Sequence, residues 1–138
     1  MSDKVFIDTN ILIYAFSEDE PQKQQIALSL IESVTYDATI SNQVINELAN
    51  VFLKKFKLST SAVEDAILEL DSLLNIVSFD ISTQIKALRL KERYKLQYFD
   101  SLIISTALEN KCSILYSEDM QHEIVIDNRL KIINPFKK

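Results

Sequence analysis

Four carboxylates stand at points of the sequence where they could act together. Asp8 ends a β-prone run that begins at Lys4, and Asp119 lies three residues beyond Tyr116, the end of a second such run. If the two runs belong to one parallel sheet, both acids lie at the edge where such sheets bind ligands. Each alone has an ordinary explanation, because Asp8 could cap the following helix and Asp119 could belong to a turn.

Two further acids lie within or beside apolar helix faces. At about 100° per residue, Asp100 falls inside the apolar arc of Phe99, Ile103 and Ala107. Burial of an unpaired carboxylate costs several kcal/mol, whereas a helix N-terminus returns only ~0.3–1 kcal/mol, so a cation or a cleft is expected at Asp100. Glu47 falls on the flank of its helix face, where a solvated charge or a helix ion pair is the more common explanation.

Together the four acids indicate metal-dependent chemistry. Carboxylates gathered at one edge repel one another, and a hard divalent cation removes that repulsion. Oxygen-only ligands favour Mg²⁺ or Mn²⁺ over zinc, and such a centre can activate water for phosphodiester hydrolysis. The chain has one histidine, His122, one cysteine, Cys112, and no glycine. Zinc clusters, internal disulfides and glycine-rich phosphate loops are therefore excluded.

Predicted strands and helices, which must position these acids, alternate along the chain. This alternation predicts a three-layer α/β/α sandwich with a central, mostly parallel sheet, as one domain over residues 1–138. Without glycine, the left-handed residues that end helices are expected at Asn75 and Asn110. Ser59 is expected to cap a helix. Strands are predicted at 4–8, 38–41, 75–79, 113–116 and 130–133, and helices at 24–34, 44–56, 59–74, 81–95 and 99–108.

The segments that carry the acids resemble the motifs of PIN-domain nucleases. DTNIL at 8–12, YFDSLI at 98–103 and LYSEDMQH at 115–122 resemble the first, third and fourth acidic motifs of that family. Glu47 falls where the family carries its second acid, and NPF at 134–136 is a common ending. The resemblance spans essentially the whole chain and is closest to the VapC-like toxins of toxin–antitoxin pairs. Two departures are the lack of glycine and the glutamate that follows His122, where many relatives have glycine.

This resemblance implies an α/β/α fold, Mg²⁺-dependent endoribonuclease activity (with Mn²⁺ as a substitute), a homodimer and inhibition by a small antitoxin that crosses the active cleft. Three aspartates would ligate one or two ions, and Glu47 would bind the second ion or orient the attacking water. The residues that it assigns are an acidic quartet and three polar helpers around the metal or its waters: Asp8, Glu47, Asp100 and Asp119, with Thr9, Asn10 and Ser117.

Charge and hydropathy bear on the partners. The net charge of −5, from 15 basic and 20 acidic residues, argues mildly against nucleic acid. Lys86, Arg89 and Arg93 share one helix face as a candidate RNA-backbone stripe leading toward Asp100, although a solvated face paired with Glu92 explains them more simply. No apolar run approaches the ~20 residues of a membrane span, and no signal-type core opens the sequence, so we expect a cytoplasmic protein.

Other functions on a parallel sheet need different residues. A receiver domain requires an acidic pair after its first strand, and an Asp-x-Asp phosphatase requires an acid at position 10, whereas Thr9 and Asn10 follow Asp8. The strongest alternative is a PIN-like module that binds RNA or protein without cleaving. The quartet is intact by residue type, which favours the enzyme.

Overall fold

A computed structural model describes residues 3–137; Met1 and Ser2, which belong to the N-terminal segment interpreted above, and Lys138 lie outside the described residues. The described strands are β1 (Val5–Ile7), β2 (Ala38–Ser41), β3 (Asn75–Val77), β4 (Ile114–Tyr116), β5 (Val125–Ile126) and β6 (Leu130–Ile133). The described helices are α1 (Thr9–Phe16), α2 (Pro21–Val34), α3 (Asn42–Lys54), α4 (Thr60–Leu73), α5 (Ile81–Tyr94) and α6 (Tyr98–Glu109).

The strands form one sheet in the order β3-β2-β1-β4-β6-β5. β1 pairs in parallel with β2 and with β4, and only the β5–β6 pair among these strands is antiparallel. The prediction of an α/β sandwich with a mostly parallel sheet is confirmed. Because β1 lies between two strands under flanking helices, all three of its residues are apolar and buried. None of the helices in the described range is long and apolar enough to cross a membrane.

Several helix ends follow from side-chain caps. Ser59 accepts a hydrogen bond from the Ala62 N–H, as predicted. The expectation of left-handed residues at Asn75 and Asn110 is wrong, since Asn75 lies in β3 and Asn110 has φ −93°. Lys95 and Lys111 take that conformation instead, with φ 57° and 59°. After α5, the Lys95 and Leu96 N–H groups both bond to the Lys91 carbonyl, which offsets the ~1–2 kcal/mol cost of a left-handed residue.

Two elements and one side chain differ from the sequence-based expectations. The apolar residues after Asp8 form α1, and a short hairpin strand, β5, lies before β6. Phe99 does not belong to a buried arc, because its side chain is 59% exposed. The buried part of α6 begins instead at Ser101 and continues to Leu108. Asp100 is therefore half-buried at the edge of the core and not enclosed by it.

Candidate functional site

Asp8 lies at the carboxyl end of β1 and is only 4% exposed. It caps α1, and its Oδ1 accepts a 2.7 Å hydrogen bond from the Thr9 N–H. Its Oδ2 accepts hydrogen bonds from the Ser117 hydroxyl at 2.7 Å and the Asn10 amide at 3.2 Å. Asp8 is therefore the helix cap, as its ordinary explanation predicts, and at the same time a fixed carboxylate at the sheet edge.

The loop after β4 is attached to this carboxylate through two polar side chains. The Ser117 hydroxyl, which donates to Asp8, also accepts from the Asp119 N–H at 3.2 Å. The Asn10 amide donates to Asp119 Oδ2 at 3.0 Å, and its carbonyl oxygen accepts from the Glu118 N–H at 3.1 Å. These bonds place Asp119 beside Asp8, as the topology of the parallel sheet predicts.

Glu47 on α3 and Asp100 in the first turn of α6 face the same region and are both half-buried. Burial raises the pKa of Asp8 to about 7, and the negative charges of Glu47 and Asp100 add to that rise. Burial also raises the pKa of Glu47 and of Asp100, and the charge of Asp119 raises both further. The four acids therefore lie within range of one another's electrostatic field.

The described side chains are not arranged as a closed ligand set. Within residues 3–137, no group of three or more His, Cys, Asp or Glu side chains converges so that it could hold a metal ion. The donors that face the region are nevertheless carboxylate and hydroxyl oxygens, which suit a hard cation. The Thr9 hydroxyl oxygen beside Asp8 is buried and has no hydrogen-bond partner in the described part of the chain. A buried oxygen without a partner, on the residue that follows Asp8, fits a cation or its waters.

A second layer of residues, which the sequence analysis missed, supports the acidic loop. The Tyr14 hydroxyl donates to Glu118 Oε1 at 2.6 Å, and Lys23 forms an ion pair with the same carboxylate. Lys23 Nζ also lies 4.8 Å from the ring centroid of Tyr14 and 5.3 Å from that of Phe136. No local pattern could reveal this cluster, because its members come from α1, α2, the loop after β4 and the C-terminal segment.

The predicted basic stripe is present, but its partners differ from those expected. Lys86 pairs with Glu109 at 3.4 Å and Arg93 pairs with Asp127 at 2.6 Å. The expected ion pair of Glu92 forms with the neighbouring Lys95, at 3.7 Å, and not with the stripe itself. Glu109 lies on α6 and Asp127 in the β5–β6 turn, so these two ion pairs connect α5 to neighbouring elements. The cavity that the stripe lines includes none of the four acids.

The family model for the PIN domain matches residues 5–125. The chain belongs to the PIN-domain family. The match covers all four acids, and it confirms the family to which the sequence motifs were compared. No curated protein matches the chain.

Solved structures share the fold of this PIN domain. A toxin–antitoxin complex from Klebsiella pneumoniae has a TM-score of 0.75 and 23% identity, covering 97% of this chain and 99% of that chain. VapC20 of Mycobacterium tuberculosis, a sarcin-ricin loop cleaving toxin, has a TM-score of 0.69 and 15% identity, covering 83% and 91%. VapBC2 of Rickettsia felis, bound to a promoter DNA fragment, has a TM-score of 0.67 and 19% identity, covering 94% and 98%.

Proposed function

We propose that this PIN domain is a metal-dependent endoribonuclease, the toxin of a toxin–antitoxin pair, which hydrolyses RNA phosphodiester bonds. The proposal is supported by the acidic groups around the end of β1: Asn10 holds Asp119 beside Asp8, and Glu47 and Asp100 are near enough to raise the pKa of Asp8. Such a concentration of negative charge would repel RNA, so its use by a nuclease requires a cation.

The residues fit a hard divalent ion, Mg²⁺ or Mn²⁺, because every candidate ligand is an oxygen and the buried hydroxyl of Thr9, the residue after Asp8, has no partner among residues 3–137. Asp8, Asp100 and Asp119 would hold it, and Glu47 would hold a second ion or orient the attacking water. When bound, the ion would polarise the phosphoryl group and make the attacking water more acidic.

The chain's own groups orient these ligands and handle the proton. Thr9, Asn10 and Ser117 donate to the Asp8 carboxylate and fix its plane, while Asn10 also fixes one oxygen of Asp119. Glu47 has a pKa raised by burial and by neighbouring acids, so its Oε atoms accept a proton from water more readily than an exposed glutamate would. Glu47 is thereby suited to orient and deprotonate the nucleophile.

The proposed partners are an antitoxin and a second copy of the chain, in the cytoplasm. Solved toxin–antitoxin complexes share the fold over nearly the whole chain. Apolar side chains on the helices between 21 and 73 remain exposed, among them Leu28 at 45% and Leu68 at 59%. Exposed apolar surface of this kind is commonly covered by a protein partner.

The decisive experiment is cleavage of labelled RNA by the purified chain. We expect cleavage with Mg²⁺ or Mn²⁺, none with chelator, and a loss of more than about a hundredfold in Asp100→Asn. Asp65→Asn, which removes an exposed acid on α4, is the matched control and should cleave like the wild type. Cleavage that persists in chelator would reject the mechanism, and RNA binding without cleavage under all these conditions would favour the non-catalytic module.

A further inference from the structure

A basic cavity of about 440 Å³ lies between α5, the C-terminal half of α6 and the β5–β6 turn. Two acids, Glu109 and Asp127, are also part of its lining. Its basic side chains are five of the chain's 15: Lys86, Arg89, Arg93, Lys111 and Arg129. Basic side chains therefore outnumber acidic ones in this cavity, although the net charge of the chain is −5.

Both acids of the lining already have partners. Glu109 accepts from the Thr83 hydroxyl at 2.7 Å as well as from Lys86, and Asp127 accepts from Tyr94 at 2.8 Å as well as from Arg93. The two carboxylates of the cavity are therefore neutralised by two of its five basic side chains, Lys86 and Arg93.

The other cations remain available to a ligand. Within residues 3–137, the side chains of Arg89 and Lys111 form no hydrogen bond or ion pair, and Arg129 donates only to the Leu108 carbonyl, at 3.2 Å. The dipole at the end of α6 explains cations at Lys111 and Arg129 but not Arg89, which lies on α5. The lining therefore has positive charge that its own carboxylates do not neutralise.

We propose that this cavity binds a phosphate group of the RNA strand, away from the bond that is cut. Guanidinium groups present a planar set of donors that matches phosphate oxygens. Two of the three basic side chains without a carboxylate partner, Arg89 and Arg129, carry such a group, and the third is Lys111. The inference rests on the proposed function for the identity of the strand. Leu108 lies about 12 Å along the α6 axis from Asp100, so an RNA of several nucleotides can contact both regions.

Binding can be measured without cleavage, in chelator, from the fluorescence anisotropy of a labelled RNA of about twelve nucleotides. The test variant is Arg89→Gln/Lys111→Gln, which preserves the ion pairs of Lys86 and Arg93. The control, Lys54→Gln/Lys55→Gln, removes the same charge from the end of α3. We expect the test variant to bind about three- to tenfold more weakly and to lose about 0.7 of the salt slope per phosphate contact, with little change in the control. Equal affinities and slopes in the two variants would overturn the proposal.

Two further measurements separate the sources of phosphate and the two proposals. Inorganic phosphate, titrated by calorimetry, should bind the wild type weakly and compete with RNA; if Arg89→Gln/Lys111→Gln loses phosphate binding with unchanged RNA affinity, a free phosphate is the ligand and the RNA assignment is overturned. Because binding is measured in chelator, its result does not depend on catalysis. Wild type that binds RNA through the cavity in chelator but does not cleave it when Mg²⁺ or Mn²⁺ is supplied would refute the proposed function and leave the cavity proposal standing. Melting temperatures of both double variants verify that they fold.

Discussion

The side-chain amide of Asn10 holds Asp119 beside Asp8. Its nitrogen donates to Asp119 Oδ2 at 3.0 Å and to Asp8 Oδ2 at 3.2 Å, and its oxygen accepts from the Glu118 N–H. One neutral group thus bridges two carboxylates that are 111 positions apart in the sequence. The chain itself, through this amide, assembles part of the acidic edge that the proposed reaction needs.

Asn10→Asp should turn this bridge into a repulsive contact. The substitution replaces a double donor with a third carboxylate, and a lost hydrogen bond with a buried partner costs about 1–3 kcal/mol. We expect the free energy of unfolding in urea at pH 8 to fall by that amount without metal, and to recover in part when Mg²⁺ is added. Asn50→Asp, at an exposed position of α3, is the control. An equal effect of both substitutions would contradict the bridging role.

Asp8 should make the metal-free protein less stable as the pH rises. Burial raises its pKa from the ordinary 3.8 to about 7, so the folded state holds the proton more tightly than the unfolded state. The contribution is therefore neutral below about pH 4, grows unfavourable between pH 4 and 7, and reaches on the order of 4 kcal/mol above that range. Asp8→Asn should remove this part of the slope, leaving the part due to the raised pKa of Glu47 and of Asp100, and be the more stable protein at pH 8.

The measurement is the urea midpoint from pH 4 to 8 in chelator, for wild type, Asp8→Asn and the exposed control Asp65→Asn. The control should keep the wild-type slope, because Asp65 is solvated in both states. Parallel pH profiles for wild type and Asp8→Asn would show that the carboxylate is not destabilised by burial. Added Mg²⁺ should stabilise the wild type at pH 8 more than it stabilises Asp8→Asn.

How far the sequence predicts this molecule depends on the range of each interaction. The sequence predicts that Asp8 and Asp119 lie at one edge because a parallel sheet aligns the ends of its strands, whatever the loops do, and Asn10 is hydrogen-bonded to both acids in the structure. The prediction that Phe99 is buried is wrong, because periodicity gives the repeat of residues around a helix but not the position of the core boundary. Residue preference predicts asparagine at left-handed helix ends. Lys95 and Lys111 take this conformation instead, because it is held by backbone hydrogen bonds that any residue can make.

The contacts that hold the candidate site were outside the reach of local patterns. Lys23 and Glu118 are 95 residues apart, and only the packing of α2 against α1 brings the lysine above the acidic loop. The family motifs identified Ser117 as a polar helper, and the structure adds the partner to which it donates. The sequence thus predicts the neighbouring acids at the end of β1 better than the groups that hold them in place.

Ser117→Ala should alter the acid–base behaviour of Asp8 as well as stability. The hydroxyl is fully buried, donates to Asp8 Oδ2 at 2.7 Å and favours the ionised carboxylate. Its loss should cost about 1–3 kcal/mol and raise the Asp8 pKa above 7, measured by carbon-13 NMR of the carboxyl. Ser105→Ala removes an equally buried hydroxyl that donates to the Thr83 carbonyl. That control should lose similar stability and leave the Asp8 titration unchanged.

Lys23 should affect metal binding although it is not a candidate ligand. It forms an ion pair with Glu118 above the rings of Tyr14 and Phe136, and the Glu118 N–H in turn donates to Asn10. The Lys23 and Tyr14 bonds lower the pKa of Glu118 despite its burial, which indicates that the ionised carboxylate is held there. Removal of the ammonium therefore releases the loop that carries the neighbouring aspartate.

We expect Lys23→Met to weaken Mn²⁺ binding by about tenfold, the size typical of groups that orient metal ligands, while the chain stays folded. Electron paramagnetic resonance of free Mn²⁺ measures this affinity without RNA and therefore independently of catalysis. Lys23→Arg keeps the charge over the rings and should recover most of the binding. Lys95→Met breaks an exposed ion pair with Glu92 at 3.7 Å and serves as the control. Wild-type affinity in Lys23→Met would mean that the cluster stabilises the loop's attachment without setting the position of Asp119.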